Sequence, residues 1–508
     1  MRAPAPPGHA RDDAVTAGAH HASMSTLSTT VRRRTIALLW AISVAASGCL
    51  SSAPSPTAVP ASGEPAPAAR PVIIDADMDM SDLAAIAVLL RDPTLDVRAI
   101  AIDGTGLVHC AGGMSVTRYL LDELGTPDIP YGCGREDGGP DAHPFPSEWR
   151  VIADDGYGMD IVPRPSYGLP DDAVTILTRA IDESPSAPTI IALGPWTNLE
   201  DALAADPTVL DRVAGIHAML GTVAAPGNVY TDTLDGEDPL EWNAYADPSA
   251  VAAVFATEVP IDLVPLDATD DVPVPADLPD RLAEDRAAAG ADLLYELLLR
   301  HPDRLLADQG QQLWDELAAL AVSLPDLVTW DQADLLVGSD GRLTRDDAGR
   351  PVRYASAADA AATVKALLEG LRRGGPRATP FSVSGTVDIT FDGTACSATV
   401  NPAGAIEPGV YRLRYTGPAG TPGGGFLVGV DETASWSDIQ TFLQGLDPVV
   451  ETAPPSWILL AGQVADESGA GQPIEGMASV TAAGTYGPMC ATGTWPDITF
   501  MPGAPFGG

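Results

Sequence analysis

A chain of 508 residues outgrows a single hydrophobic core, which stops growing at roughly 250 to 300 residues, so two folded domains plus tails are expected. The formal charge of −41, from 69 acidic against 28 basic residues, counts against binding to nucleic acid or to an anionic membrane face, which such a surface repels. Lys365 is the sole lysine, which removes most lysine-dependent mechanisms.

In chain order, residues 1–48 read as a signal peptide of the lipoprotein type. Arg32, Arg33 and Arg34 precede an apolar run from Ile36 to Ala46, and Ala46-Ser47-Gly48-Cys49 follows as a lipobox-like end. Cys49 is the expected lipidation site, and Met24 would give a leader of more usual length. The apolar run is too short for a comfortable membrane span, so the membrane is reached only through the lipid anchor, with plain secretion as the alternative. Residues 49–69, rich in Ser, Pro and Ala, form a tether. Cys110, Cys133, Cys396 and Cys490 then remain. In an exported chain their even number suggests disulfides, and their positions suggest pairing within each domain, although three connectivities exist.

Residues 70–375 alternate short apolar runs with helical patterns. Strands are expected at Val72 to Ile74, Val97 to Ile102, Thr189 to Leu193, Gly215 to Leu220 and Ile261 to Leu266. Helices are expected at Leu83 to Leu90, Asp171 to Ile181, Pro248 to Phe255, Leu313 to Val322 and Ala357 to Leu371. This alternation implies an α/β fold, a mostly parallel sheet with helices on both faces, whose ligand site lies at the carboxyl ends of the strands. A helix stop at Arg372-Arg373-Gly374-Gly375-Pro376 opens a linker over 376–380. From 381 to 508 the chain is rich in Thr, Val and Gly with short alternating runs, the signature of a small β-sandwich-like domain. It carries no catalytic constellation.

The most informative stretch is Val72-Ile73-Ile74-Asp75-Ala76-Asp77-Met78-Asp79-Met80-Ser81-Asp82, a buried strand ending in carboxylates that lead into an apolar helix. Their mutual repulsion is best offset by a hard cation, and with only oxygen ligands at hand Ca2+ or Mg2+ is favoured over zinc. Asp75 and Asp77 share one side of the extended chain, and Asp82 falls in the first helical turn. Alternatively the stretch is an acidic loop with Ser81 as an N-cap. A second segment, Leu193-Gly194-Pro195-Trp196-Thr197-Asn198, runs from a strand through a turn into a helix and brings Thr197 to the same sheet edge.

Taken together, these two segments resemble the inosine-uridine preferring nucleoside hydrolase family, whose first strand ends in Asp-x-Asp-x-x-x-Asp-Asp and whose second motif is Gly-Pro-Leu-Thr-Asn. His217-Ala218-Met219-Leu220-Gly221, Gly227-Asn228, Glu241-Trp242-Asn243, Asp247-Pro248 and Leu313-Trp314-Asp315 follow in the family's order, so the resemblance spans about residues 70 to 330. It implies that Asp77, Asp82, Asp315 and the Thr197 backbone oxygen hold Ca2+, with Asp77 also the general base and Asp75 behind it. It further implies that Asn228, Glu241 and Asn243 grip sugar hydroxyls, that Met219 lies under the sugar, and that Ser81 and Trp314 line the substrate. The implied substrate is a nucleoside or related ribosyl compound.

Four departures stand out, one being the absence of the family asparagine after the second strand, where Asp103-Gly104-Thr105-Gly106 stands. Ser81 replaces the first Asp of the adjacent pair, a carboxylate that contacts a ribose hydroxyl in the family, at a cost of roughly 1.5–3 kcal/mol of binding. Asp79 stands where a Gly is usual and is the candidate to supply that charge from another angle. Trp314 occupies the place of a base-protonating histidine, and an indole cannot serve as a general acid. His109 and His143, in candidate loops, are the remaining proton donors.

Two rivals follow. A haloacid dehalogenase-like phosphatase also places Asp-x-Asp after its first strand, but it needs a downstream lysine, and Lys365 lies on the helix leaving the domain. A catalytically idle calcium- and sugar-binding envelope protein is the alternative from another class. The C-terminal domain is open to an envelope polymer or protein partner, and a homo-oligomer is left open.

Overall fold

The computed structural model describes residues 68–506, apart from 160, 162–171, 231–238, 306–310, 432, 445–456, 467–470, 472, 481–482 and 494–498. The residues read as a signal peptide and nearly all of those read as a tether, Cys49 included, lie outside the described residues, as does Asp171.

Nine strands form the larger sheet: β1 (Arg70–Ala76), β2 (Leu95–Ile102), β3 (Tyr131–Cys133), β4 (Thr189–Ala192), β5 (Gly215–Ala218), β6 (Ile261–Leu263), β7 (Val328–Val337), β8 (Leu343–Arg345) and β9 (Arg350–Ala358). Their order is β3-β2-β1-β4-β5-β6-β9-β7-β8. From β3 to β9 every pairing is parallel, whereas β7 pairs antiparallel with both β9 and β8. The parallel strands read as unbroken apolar runs because both faces are covered. In β1, Val72, Ile74 and Ala76 enter one core while Ile73 enters the other. Likewise Ile100 and Ile102 of β2 face the first core, and Ala99 and Ala101 the second.

Chain order reverses about β1, with β2 on one side and β4 on the other, which opens a crevice beyond the carboxyl end of β1. The helix Met80–Leu89 leaves this crevice and is buried at every position. Such a helix needs no polar face, since neighbours surround it, among them the helices Trp314–Ser323 and Ala289–Arg300.

The second set of strands is β10 (Gly385–Phe391), β11 (Cys396–Asn401), β12 (Gly409–Thr416), β13 (Gly423–Val430), β14 (Ile458–Asp466), β15 (Ile474–Val480), β16 (Thr485–Thr492) and β17 (Thr499–Pro502). They form two four-stranded sheets, β11-β10-β12-β15 and β14-β13-β16-β17. A disulfide from Cys396 in β11 to Cys490 in β16 ties one sheet to the other, and a second disulfide joins Cys110 to Cys133 in the larger unit.

The sandwich is not loosely tethered. Val410 of β12 and Met477 of β15 share a buried cluster with Leu293 and Leu297 of the helix Ala289–Arg300, and Arg412 Nη2 donates to Tyr295 Oη at 3.1 Å. Arg377, in the connecting segment, is buried against Glu123, Asp292 and Glu296, with its shortest contact 2.7 Å to Glu296.

Candidate active site

β1 carries Asp75 to the sheet edge and Asp77 just past it. Met78, next in the chain, adopts the left-handed backbone at φ 60°, a costly conformation for a side chain with a Cβ. Tyr157 Oη donates to the Met78 carbonyl at 2.8 Å and so satisfies the peptide group that the turn exposes. That turn aims Asp79 back at the helix Met80–Leu89, where it forms a reciprocal cap. Asp79 Oδ2 accepts from Ser81 N at 3.2 Å, and Asp79 N donates to Asp82 Oδ2 at 2.8 Å.

Asp77 is held from two sides. Its Oδ2 accepts from Leu107 N at 3.0 Å, and the backbone at Gly106 and Gly194 closes on it so tightly that a Cβ at either would come within 2.2 Å and 2.9 Å of Asp77 Cβ. Asp315 arrives from the first turn of the helix Trp314–Ser323. Ser81 Oγ lies between Asp315 Oδ2 and Asp79 Oδ2, 2.7 Å from the latter, and the carboxyls of Asp77 and Asp82 share a hydrogen bond. The structure therefore brings Asp77, Ser81, Asp82 and Asp315 together across more than two hundred residues of chain.

Burial dominates the electrostatics here. It pushes the Asp75, Asp82 and Asp315 carboxyls well above the usual range; Asp103 adds to the rise at Asp75, and Asp315 to that at Asp82. Asp77 is raised by burial to about 6, held back by its hydrogen bond to Asp82. Asp82 Oδ1 and Asp315 Oδ1 are buried with no hydrogen-bond partner among the described residues. Such oxygens suit a hard cation, the one ligand that would lower all three pKa values at once. Among the described residues, however, no three His, Cys, Asp or Glu side chains already close into a ready-made metal cage. The contacts are pairwise, and a bound ion would draw the carboxylates inward.

Thr197 opens the helix Thr197–Ala205 just after β4 and is fully buried. Its Oγ1 donates to Asp247 Oδ2 at 2.9 Å and lies 2.7 Å from Thr105 Oγ1. Its neighbour Asn198 donates from Nδ2 to Asp75 Oδ1 at 2.7 Å, fixing that carboxylate behind Asp77.

The residues expected around the sugar follow β5 and largely hold one another. Glu241 caps the helix Trp242–Ala246, accepting from Asn243 N, Gly221 N and Ala244 N, and burial still raises it to about 7. Asn243 Nδ2 donates to the carbonyls of Leu193 and Met219 at 2.9 and 3.1 Å, and Met219 is buried beside it. Asn228 Oδ1 accepts from Trp242 N at 3.1 Å, which is turn chemistry. Trp314 is half-buried, and its Nε1 has no hydrogen-bond partner among the described residues. Of the two loop histidines, His109 pairs with Asp154 at 2.7 Å, and His143 stacks on Tyr245 at 4.0 Å.

Several site residues escaped sequence reasoning. Leu107 contributes only its backbone N–H, and Tyr157 reaches the site from a distant turn. Buried Arg304 and Glu316 also belong here: Arg304 Nη2 is 4.0 Å from Asp79 Oδ2, and burial pushes Glu316 up to about 8.

A buried carboxylate cluster at the carboxyl edge of a parallel sheet covered on both faces marks a ligand site where acid–base chemistry can act. The chain belongs to the inosine-uridine preferring nucleoside hydrolase family, whose model matches residues 72–367, and it is an N-glycosyl hydrolase. It is 29% identical over 289 residues to a pyrimidine-specific ribonucleoside hydrolase, RihA, of Citrobacter koseri, covering 54% of this chain and 86% of the relative. A solved plant nucleoside hydrolase superposes with a TM-score of 0.51 at 25% identity, covering 60% of this chain and 99% of that one. The inosine-uridine preferring nucleoside hydrolase from Bacillus anthracis superposes equally well, at 0.51 and 24% identity, over 60% and 99% of the two chains.

Proposed function

We propose that this enzyme is a calcium-dependent hydrolase of the N-glycosidic bond of ribonucleosides. The observation that carries the reading is the convergence of Asp77, Asp82 and Asp315 in a buried site where Asp82 Oδ1 and Asp315 Oδ1 lack partners. These carboxylates, with the Thr197 carbonyl as the further oxygen, would hold the ion. Bound there, Ca2+ supplies positive charge that lowers the pKa of a neighbouring water.

Asp77, fixed by Leu107 N–H, takes the proton of the water that attacks the anomeric carbon. The surrounding carboxylates stabilise the oxocarbenium-like charge that develops on the sugar. Asn243 spends its amide hydrogens on backbone carbonyls, so its Oδ1 is the atom left for a sugar hydroxyl. Glu241 keeps capacity for one further donor beyond its three backbone N–H groups, and Asn228 acts by shaping the loop. Met219 underlies the sugar, while Ser81 and Trp314 line the pocket.

Uridine and inosine are the first substrates to assay, because the family and relatives carry these names. Release of ribose with calcium and its loss in chelator is the expected result; ribose release unchanged by chelator would reject the metal role. The same proposal puts the enzyme outside the cytoplasm, anchored by lipid on Cys49. Labelling with a palmitate analogue should mark the wild type but not Cys49→Ser.

A further inference from the structure

Arg304 is a cation inside an acidic pocket, and its surroundings leave its donors unspent. It belongs to the short turn Pro302–Leu305, with its side chain 8% exposed. Its nearest carboxylate oxygen, Asp79 Oδ2, is 4.0 Å away, too far for a hydrogen bond. Its Nε is buried with no hydrogen-bond partner among the described residues, and the same holds for Glu316 Oε2, the other acid whose charge Arg304 feels. A buried guanidinium ordinarily spends its planar fork on a carboxylate, often bidentately. Here two acids flank it, and neither takes the fork. A second orphan donor is Trp314 Nε1, two residues before Glu316.

The carboxylates at this edge accept rather than donate. Asp77, Asp82 and Asp315 suit a cation and sugar hydroxyls, whereas a departing nucleobase presents carbonyl oxygens and ring nitrogens that require donors. We propose that Arg304, assisted by Trp314 Nε1, binds the leaving base and selects oxo-bases that depart as anions. The inference rests on the hydrolase reading above and names its substrate class.

In the step concerned, the C1′–N bond breaks and its electron pair passes to the base, spreading onto a carbonyl oxygen that faces Arg304. The water oxygen bonds to C1′, its proton goes to Asp77, and the released base anion is protonated from solvent. Arg304 gives up no proton; it acts by charge and by hydrogen bonds that strengthen as the anion forms. A histidine acid is then not required, and a base without a carbonyl, such as adenine, is a poor leaving group here.

The test compares kcat/KM of the calcium-loaded full chain and its Arg304→Met and Arg304→Lys variants on uridine and on para-nitrophenyl riboside, whose leaving group departs readily as an anion. Arg304→Met is expected to lower uridine cleavage by about 10- to 100-fold and to lower nitrophenyl riboside cleavage at least several-fold less. Arg304→Lys, which keeps the charge but loses the fork, shifts the same ratio by a smaller factor and decides the matter if the Met variant does not fold. Equal losses on the two substrates, or unchanged uridine cleavage, would overturn the role of Arg304 alone. Wild-type protein that cleaves neither compound would overturn the hydrolase reading and this inference with it.

Discussion

The two halves of the molecule treat buried polar atoms in opposite ways. Along the carboxyl edge of the large sheet, Asp75, Asp82, Asp103, Asp315 and Glu316 each bury a carboxylate oxygen without a hydrogen-bond partner, and among the described residues no carboxylate of the sandwich does so. The sandwich is instead closed by apolar packing around Val387, Leu413 and Leu427 and by the Cys396–Cys490 bridge. Unsatisfied buried charge destabilises a fold, so its concentration at one edge marks where stability has been given up for ligand binding. Among its described residues the sandwich shows no such deficit of buried carboxylates.

That contrast can be broken most severely at Asp77. Asp77→Asn removes the proton acceptor while keeping the contact with Leu107, and turnover should fall by about a thousandfold or more, with weaker calcium binding by calorimetry. Unchanged kinetics would mean that the acidic edge is not the site. Arg377→Met tests the joint between the halves. Removing one member of a buried ion-pair cluster should cost about 3–5 kcal/mol in denaturant unfolding, because Glu123, Asp292 and Glu296 lose their counter-charge. A cost below about 1 kcal/mol would show the joint to be loose. Replacing Cys396 and Cys490 by alanine opens a 94-residue loop and should cost about 2–4 kcal/mol while leaving calcium affinity unchanged. A parallel loss of calcium binding would show that the halves are not separable in this way.

The smallest effect is in pH. Asp77, Asp103, Glu241 and Glu316 have folded-state values raised by burial to about 6, 7, 7 and 8, so in chelator the folded chain binds more protons than the unfolded chain across neutral pH. Stability from a raised carboxyl is present at low pH and lost as pH rises through the folded value. His217, lowered by burial to about 4, works the other way, but only between about 4 and 6.5. From pH 6.5 to 8 the metal-free protein should therefore lose stability, read as a falling Tm, and calcium should flatten the slope. A metal-free Tm that rises over this interval would contradict the burial argument.

The parallel strands were legible as apolar runs because burial on both faces removes the need for alternation, and the family motifs mark the turns that follow β1 and β4. The antiparallel edge of β7, β8 and β9 was not legible. Its mixture of buried and exposed positions resembles a loop as much as a strand, and β9 runs into the residues assigned to the following helix. In the candidate site, Asp77, Asp82, Thr197 and Asp315 could be named from the family resemblance, each standing just after a strand or in the first turns of a helix. Arg304 could not, since a four-residue turn has no periodicity and its meaning depends on Asp79 and Glu316, which only the fold brings near. Asn228 and Asn243 could be named as site residues, but their commitment to backbone groups could not be foreseen from spacing.

Titrating calcium into chelated protein while following uridine cleavage, in the wild type and in Asp315→Asn, tests the centre of this account most directly. The expected result is activity that returns in step with one bound ion in the wild type and a much weaker site in the variant. Full cleavage in the presence of chelator, or equal calcium affinity in the two proteins, would contradict it.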